Sequence, residues 1–371
     1  MPGLKDKIAR RVRAEGPLSV AAFMAMALHD PEAGYYARRN PLGCAGDFIT
    51  APEISQVFGE LIGLWCADLW QRIGHPDPVL LVELGPGRGV LMQDLLRAAA
   101  AVPDFRRALR LYLVEASAVL RSEQGHRLAA AEPYFVADFA DVPPGPILLV
   151  ANEFLDALPI RQLVRGRTEW AERIVALDPA DNLVFAEGPE SPWLSLLVPP
   201  PLRGSPPGTI VEIGPAAAAL AGAIAERLTD APGAALLIDY GYITVTPGPT
   251  LSAITGHRRA DILEAPGEAD LSAHVDFAGV AEAARAAGAA VYGPMPQGSF
   301  LNALGAAARL DRLKASADPA QRTALDGGLT RLIDPGEMGN LFKALALTSP
   351  GLPAPAGFAV PPSLSGQQPP R

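Results

Sequence analysis

Leu80-Leu81-Val82-Glu83-Leu84-Gly85-Pro86-Gly87-Arg88-Gly89 is the stretch whose reading decides the fold. An apolar run of strand length ends in an acid and a glycine-rich turn, and residues 90–101 then follow helical spacing. Glycines let a backbone approach a ligand closely, and the start of a helix presents free N–H donors. Alone, such a loop is a weak signal. The dinucleotide fingerprint requires a small residue where this chain has Val90. The spacing here is Gly85-x-Gly87-x-Gly89 behind Glu83, an acid that would repel a pyrophosphate.

Two more acids follow at matching places. The next apolar run, Leu111-Tyr112-Leu113-Val114, ends in Glu115, where a carboxylate can take both hydroxyls of a ribose. A third run, residues 134–136, leads into Ala137-Asp138-Phe139, where Asp138 could pair with an adenine amino group and Phe139 cover the ring. Singly, Glu115 reads equally well as a helix-start carboxylate and Asp138 as a turn residue. Glu83, Glu115 and Asp138 at three successive strand ends instead match the binding of S-adenosylmethionine, whose ammonium and sulfonium suit Glu83. Gly85, Gly87 and Gly89 then form the cofactor loop.

Apolar runs at 79–84, 109–114, 134–136 and 147–151, separated by helical stretches, predict a parallel sheet covered on both faces. In such a sheet the chemistry lies beyond the carboxyl ends of the strands. The fourth run ends Asn152-Glu153-Phe154-Leu155-Asp156-Ala157-Leu158-Pro159, so Asn152, Glu153 and Asp156 would face the methyl donor. The plainer alternative is a short helix that Asn152 caps.

Upstream, residues 1–75 read as helical, with Ser19 capping 20–28 and Thr50 with Glu53 forming a capping box for an amphipathic helix over 53–73. Residues 34–49 between them are loop-like. Downstream, 161–164, 169–177 and 183–186 read as an antiparallel meander. The parallel pattern resumes with 209–213, an Ala-rich helix over 215–228 and a strand at 235–240. A helix over 277–287, a strand at 289–292, helical residues 297–335 and a final strand within 340–347 complete the pattern. The fold class is thus α/β, a Rossmann-like sheet with a helical N-terminal cap and an inserted meander. The expected domains are a lid and substrate region over 1–75, a catalytic domain over 76–348 with an insertion at about 160–208, and a flexible tail over 349–371.

The chain has 371 residues, 49% of them hydrophobic, which excludes wholesale disorder. Its formal charge of −9 disfavours nucleic-acid binding and favours a cationic substrate. Cys44 and Cys66 cannot build a disulfide framework, and five scattered histidines show no ligand spacing, so no metal is expected. No P-loop lysine, no Gly-x-Ser-x-Gly elbow and no His-Glu-x-x-His motif occurs. No apolar stretch is long enough for a membrane span and no signal-peptide core is present, so a bacterial cytoplasmic location is expected.

Longer motifs carry a resemblance. Gly34-Tyr35-Tyr36, residues 46–60 (Gly-Asp-Phe-Ile-Thr-Ala-Pro-Glu-Ile-Ser-Gln-Val-Phe-Gly-Glu), the glycine loop, residues 152–159, Ile238-Asp239-Tyr240-Gly241, residues 270–277 and Met338-Gly339 are similar to those of the MidA-like methyltransferases. Mitochondrial members of that family assist assembly of respiratory complex I. The resemblance spans roughly residues 16–347 and implies a class I protein arginine methyltransferase that forms symmetric dimethylarginine on a complex I subunit. For that chemistry, position past the fourth strand makes Glu153 the first choice of catalytic carboxylate, with Asp156 second and His274 or Asp276 in support. Residues 46–60 become a lid shaping a peptide channel, with Asp47, Thr50, Pro52, Glu53 and Ser55 on the substrate. The expected partners are an NADH dehydrogenase subunit and, for a dimer, a second copy of the chain. The alternatives are a non-catalytic assembly factor or methyl transfer to another small molecule or protein. A dehydrogenase is disfavoured by Val90 and Glu83.

Overall fold

The computed structural model describes residues 3–38 and 49–358. Asp47 therefore lies outside the described residues. Seven strands build the main sheet: β1 (Val79–Leu84), β2 (Leu109–Val114), β3 (Tyr134–Val136), β4 (Ile147–Asn152), β5 (Gly233–Tyr242), β6 (Ala290–Pro296) and β7 (Phe342–Thr348). Their spatial order is β6-β7-β5-β4-β1-β2-β3, and a two-residue strand, Val275–Asp276, extends the end of β5. Among these seven, β7 alone runs opposite to the rest, antiparallel to both β5 and β6. The chain order reverses direction beside β1, which is the crevice where open α/β sheets bind ligands.

Register fixes which residues meet there. Leu84 lies beside Val114 of β2 and beside Ala151 of β4. Glu83, Glu115 and Asn152 consequently arrive at one edge of the sheet. Every residue of β1 and β4 is buried, as expected for strands covered on both faces. One face packs Val79, Leu81, Leu113 and Val150 against the helices Gln56–Arg72 and Val90–Ala99. The other packs Leu80, Val82, Leu149 and Leu237 against Pro215–Asp230 and Phe277–Ala286. The first two helices approach so closely that a Cβ on Gly63 would sit 2.6 Å from the Leu95 carbonyl oxygen. Only glycine fits that contact.

Ser19 does cap Val20–His29, accepting the Ala22 N–H at 3.1 Å. The expected box at Thr50 does not form. Ala51–Ile54 is a separate short helix whose Thr50 side chain makes no cap bond. Ser55 starts the long helix instead, accepting the Val57 N–H at 3.3 Å, while Glu53 turns to Arg88.

The meander forms as an antiparallel sheet of Arg161–Arg165, Trp170–Leu177 and Leu183–Glu187. Ile210–Ile213 joins it rather than the main sheet, pairing with Arg161–Val164. Gln162 and Glu212 hydrogen-bond across that pair at 2.7 Å, a long-range match invisible in local apolar pattern. Ser252–Thr255, Arg258–Ala260 and Asp270–Ser272 form a third, unexpected small sheet. The tail reading also needs correction up to residue 358. Ala356 accepts from the Trp65 indole at 3.1 Å, Leu352 accepts from the Tyr292 hydroxyl at 2.7 Å, and the Phe358 ring packs at a tilt against Phe300. Residues 359–371 lie outside the described part.

Candidate active site

The glycine loop turns because its residues can take left-handed backbone angles: φ is 59° at Gly85, 53° at Gly87 and 76° at Gly89. At Gly85 a Cβ would also meet the Phe154 ring at 2.6 Å. The loop opens into a cavity of about 590 Å³ at the carboxyl ends of β1, β2 and β4. Glu83, Glu115, Asn152, Glu153, Thr50 and Glu53 are among the residues that line it.

Two wall atoms define the cofactor end. Glu83 Oε2 and Asn152 Oδ1 are buried and have no hydrogen-bond partner. Burial, with Glu115 nearby, pushes the Glu83 carboxyl up to about 8. An orphaned buried acceptor is costly unless a cation or donor meets it. A sulfonium nucleoside with an ammonium group fits that demand. Glu115 is held in place: Oε1 accepts the Ser117 N–H at 2.7 Å and Oε2 accepts from Gln124 at 3.2 Å. Burial raises this carboxyl too, against the pull of those donors. The same Gln124 Nε2 donates to the Gly87 carbonyl at 2.7 Å, so one fully buried amide ties the glycine loop to the ribose-side acid.

The third strand end departs from expectation. Asp138 is exposed and outside the cavity wall, and it accepts the Ala140 N–H at 2.9 Å as the cap of a short turn. Phe139 points into the core beneath the Arg227 guanidinium, so it cannot cover an adenine. Ala137 and Leu120 line that part of the cavity instead.

The acceptor end is acidic. Glu153 sits in the left-handed region at φ 51°, a conformation that costs a non-glycine residue of order 1 kcal/mol and clusters at functional sites. Its Oε1 accepts from the Ala51 N–H and from Asn152 Nδ2, both at 3.1 Å. Burial, opposed by the Ala51 N–H and reinforced by Asp156, lifts the Glu153 carboxyl to about 7. Glu53 reaches Arg88 with Oε1 at 3.4 Å, while its buried Oε2 has no partner. Burial raises this carboxyl as well. Tyr36 closes the same wall and donates to Asp270 Oδ1 at 3.0 Å.

Asp156 is adjacent but not in the wall. Tyr240 donates to its Oδ2 at 2.6 Å, and burial raises it to about 6. His274 and Asp276 are displaced from the expected role. The His274 ring packs edge-on against Tyr240 and burial lowers its pKa, while Asp276 caps the helix Phe277–Ala286 by accepting the Gly279 N–H at 3.1 Å. Ser55, spent on its own helix cap, does not line the cavity, whereas Thr50, Pro52 and Glu53 do.

Gln124 and Asp239 received no role from the sequence. A polar residue on the buried stripe of Leu120, Gln124 and Leu128 was a readable signal, as was a charge inside the apolar run of β5.

A family model described as "Putative S-adenosyl-L-methionine-dependent methyltransferase" matches residues 61–295. The chain is 36% identical to the mitochondrial protein arginine methyltransferase NDUFAF7 of Danio rerio, covering 91% of this chain and 84% of that one. The Homo sapiens protein of the same name is 34% identical, with coverages of 91% and 81%. A Burkholderia thailandensis crystal structure bound to S-adenosyl-homocysteine is similar at a TM-score of 0.81 and 28% identity, covering 96% of this chain and 97% of that one. Sheet order, the acid-lined glycine loop and these matches agree: the chain belongs to the family of S-adenosyl-L-methionine-dependent methyltransferases.

Proposed function

We propose that the protein methylates arginine side chains of a protein substrate, forming symmetric dimethylarginine on a subunit of respiratory complex I and supporting its assembly. The observation that carries this reading is Glu153, strained and half-buried, sharing one cavity with Glu83 and with the unpartnered Glu53 oxygen. The arginine methyltransferase names of the relatives support the same acceptor.

When bound, the cofactor supplies an electrophilic methyl group on a sulfonium. Glu83 and Asn152 would hold its cationic end and Glu115 its ribose. An arginine guanidinium keeps its proton to a pKa above about 12 and offers no lone pair while its charge is delocalised. A carboxylate in a dry cavity draws that charge toward the nitrogens it touches and frees the one aimed at the methyl group. Glu153 has Oε1 fixed by two donors, leaving Oε2 for the substrate. Its raised pKa falls once a guanidinium pairs with it, so the loaded site holds the anion the reaction needs. The same carboxylate takes the proton that the methylated nitrogen gives up. Glu53 supplies a second acceptor, and Thr50, Pro52 and Tyr36 exclude water.

A short helix carrying Glu53 and the neighbouring segment act as the lid, and the acidic wall selects a cationic side chain. This reading places the protein in the bacterial cytoplasm, meeting its subunit before assembly, with a homodimer as its own oligomeric form. The relatives named above are mitochondrial. Among the described residues, no helix is long and apolar enough to cross a membrane.

The test is incubation with methyl-labelled cofactor and extract from its own organism, followed by amino-acid analysis and mass spectrometry of the labelled protein. Label in symmetric dimethylarginine of a complex I subunit is expected. Label confined to small molecules, or to other side chains, overturns the reading.

A further inference from the structure

The loop that carries Glu153 wraps around one buried side chain. Asp239, fully buried on β5, directs Oδ2 at three consecutive backbone N–H groups: Phe154 at 3.1 Å, Leu155 at 2.8 Å and Asp156 at 3.2 Å. Its Oδ1 accepts the Tyr240 N–H at 2.9 Å. Successive N–H groups converging on one oxygen form a concave anion site in the backbone. Such a nest can receive an anionic ligand. Here it receives an internal carboxylate. The residue immediately before the nest is Glu153, in its left-handed conformation, with its own N–H bonded to the Ile238 carbonyl at 2.9 Å. Both ends of the turn are thereby tied to β5, beside the very residue that supplies the carboxylate.

We infer that Asp239 is a positioning residue for methyl transfer, the internal anion that locks the 153–156 turn and so aims the Glu153 carboxylate into the cavity. The inference rests on the reading of Glu153 as the catalytic carboxylate. A strained turn persists only where its surroundings over-determine it, and three charge-assisted hydrogen bonds on one side do so. Around Asp239 stand Glu153 and Asp156 of the loop and Tyr240 of its own strand, with Lys343 at the paired position of β7. Burial raises the Asp239 carboxyl, Asp156 and Glu153 add to that, and the backbone donors favour its anion, so negative charge at 239 and at 153 oppose each other. Asparagine at 239 presents a neutral oxygen to the three donors and an NH2 group to the Tyr240 N–H, which leaves two donors facing each other.

The experiment compares wild type, Asp239→Asn, Asp239→Glu, Glu153→Gln and the double variant Glu153→Gln with Asp239→Asn. The probe is labelled methyl incorporation into arginine of extract protein at fixed extract concentration, with cofactor affinity by calorimetry. Asp239→Asn should slow transfer by about tenfold or more, on the scale of losing one preorganised contact, with cofactor affinity within about twofold of wild type. The midpoint of the acid limb should move to lower pH, because a neighbouring negative charge is gone. Glu153→Gln should be no slower when Asp239→Asn is added, since the second change acts only through the first residue. Asp239→Glu, which keeps the anion, should retain more rate than Asp239→Asn, and it serves as the test variant if the asparagine form does not fold. A wild-type rate in Asp239→Asn, an unmoved acid limb, or additive losses in the double variant overturn the inference. A normal rate in Glu153→Gln instead sinks the catalytic reading on which it rests.

Discussion

Glu83 and Glu115 stand at the ends of two adjacent strands, and burial, reinforced by the Glu115 charge, pushes the Glu83 carboxyl up to about 8. A cation arriving at Glu83 must then expel its proton. Cofactor affinity should rise as pH is raised from 6 toward 8 and level off above, with a proton released on binding at pH 7. Calorimetry in two buffers of different ionisation enthalpy measures that release, and its absence would remove the ammonium partner from Glu83. The sign reverses for the free protein. Its unfolded chain ionises Glu83 near the ordinary carboxylate range while the folded chain holds the proton, so this group lowers stability as pH climbs toward 8.

Gly87→Val places a branched side chain at φ 53° in the loop facing the cofactor. Cofactor binding should be lost while the circular dichroism of the fold is kept. Unchanged calorimetric affinity would count decisively against the loop's assignment.

Gln124→Leu keeps the size of a fully buried side chain and removes both donors, to Gly87 and to Glu115. Two hydrogen bonds, one to a charged group, go with it, so cofactor binding should weaken by about 1.5–3 kcal/mol. Glu115→Ala should weaken it on the same scale. A variant at 124 that binds as wild type would show that Glu115 needs no support from the neighbouring helix.

Glu153→Gln preserves shape and a hydrogen-bonding oxygen but removes the charge. Methyl transfer should fall by roughly two to four powers of ten, with cofactor affinity nearly unchanged. If affinity collapses together with turnover, Glu153 belongs to the cofactor end of the cavity; if turnover is normal, Asp156 takes over its role.

Ser55→Ala removes the cap of Gln56–Arg72, a helix packed along the main sheet. Stability in urea should drop by about 1 kcal/mol, and the methyl-transfer rate measured below the unfolding transition should hold. A specific loss of rate would return Ser55 to the substrate channel.

The parts of this molecule legible in its sequence are those where local pattern and ligand chemistry coincide. Buried parallel strands write themselves as short apolar runs, and Glu83 and Glu115 stand at the ends of two of them, so β1, β2 and their acids could be placed. Aspartates were harder, because one side chain serves turns, caps and ligands alike. Asp138 and Asp276 each bond a backbone N–H two or three residues onward, and nothing within that window distinguishes this from a site role. His274 fails for a different reason: Tyr240 stands beside its ring, and that contact spans distant segments. The strand Ile210–Ile213 chose its neighbour by pairing with residues about fifty positions earlier, beyond any periodicity. Asp239 belongs to the same class, since the three loop N–H groups it holds lie more than eighty residues away.

The placement of β7 has a consequence for synthesis. β6 touches the sheet only through β7, which slots between it and β5. While a ribosome is still making residues 297–341, β6 has no strand to pair with and β5 has an open edge. Such an edge invites pairing with the wrong chain until it is covered. The nascent protein must therefore wait for Phe342–Thr348 before its sheet can close, and every stalled or truncated product lacking those seven residues exposes two strand edges at once. Quality control by chaperones and proteases acts on such intermediates, so transcripts broken late in the message should yield little surviving protein.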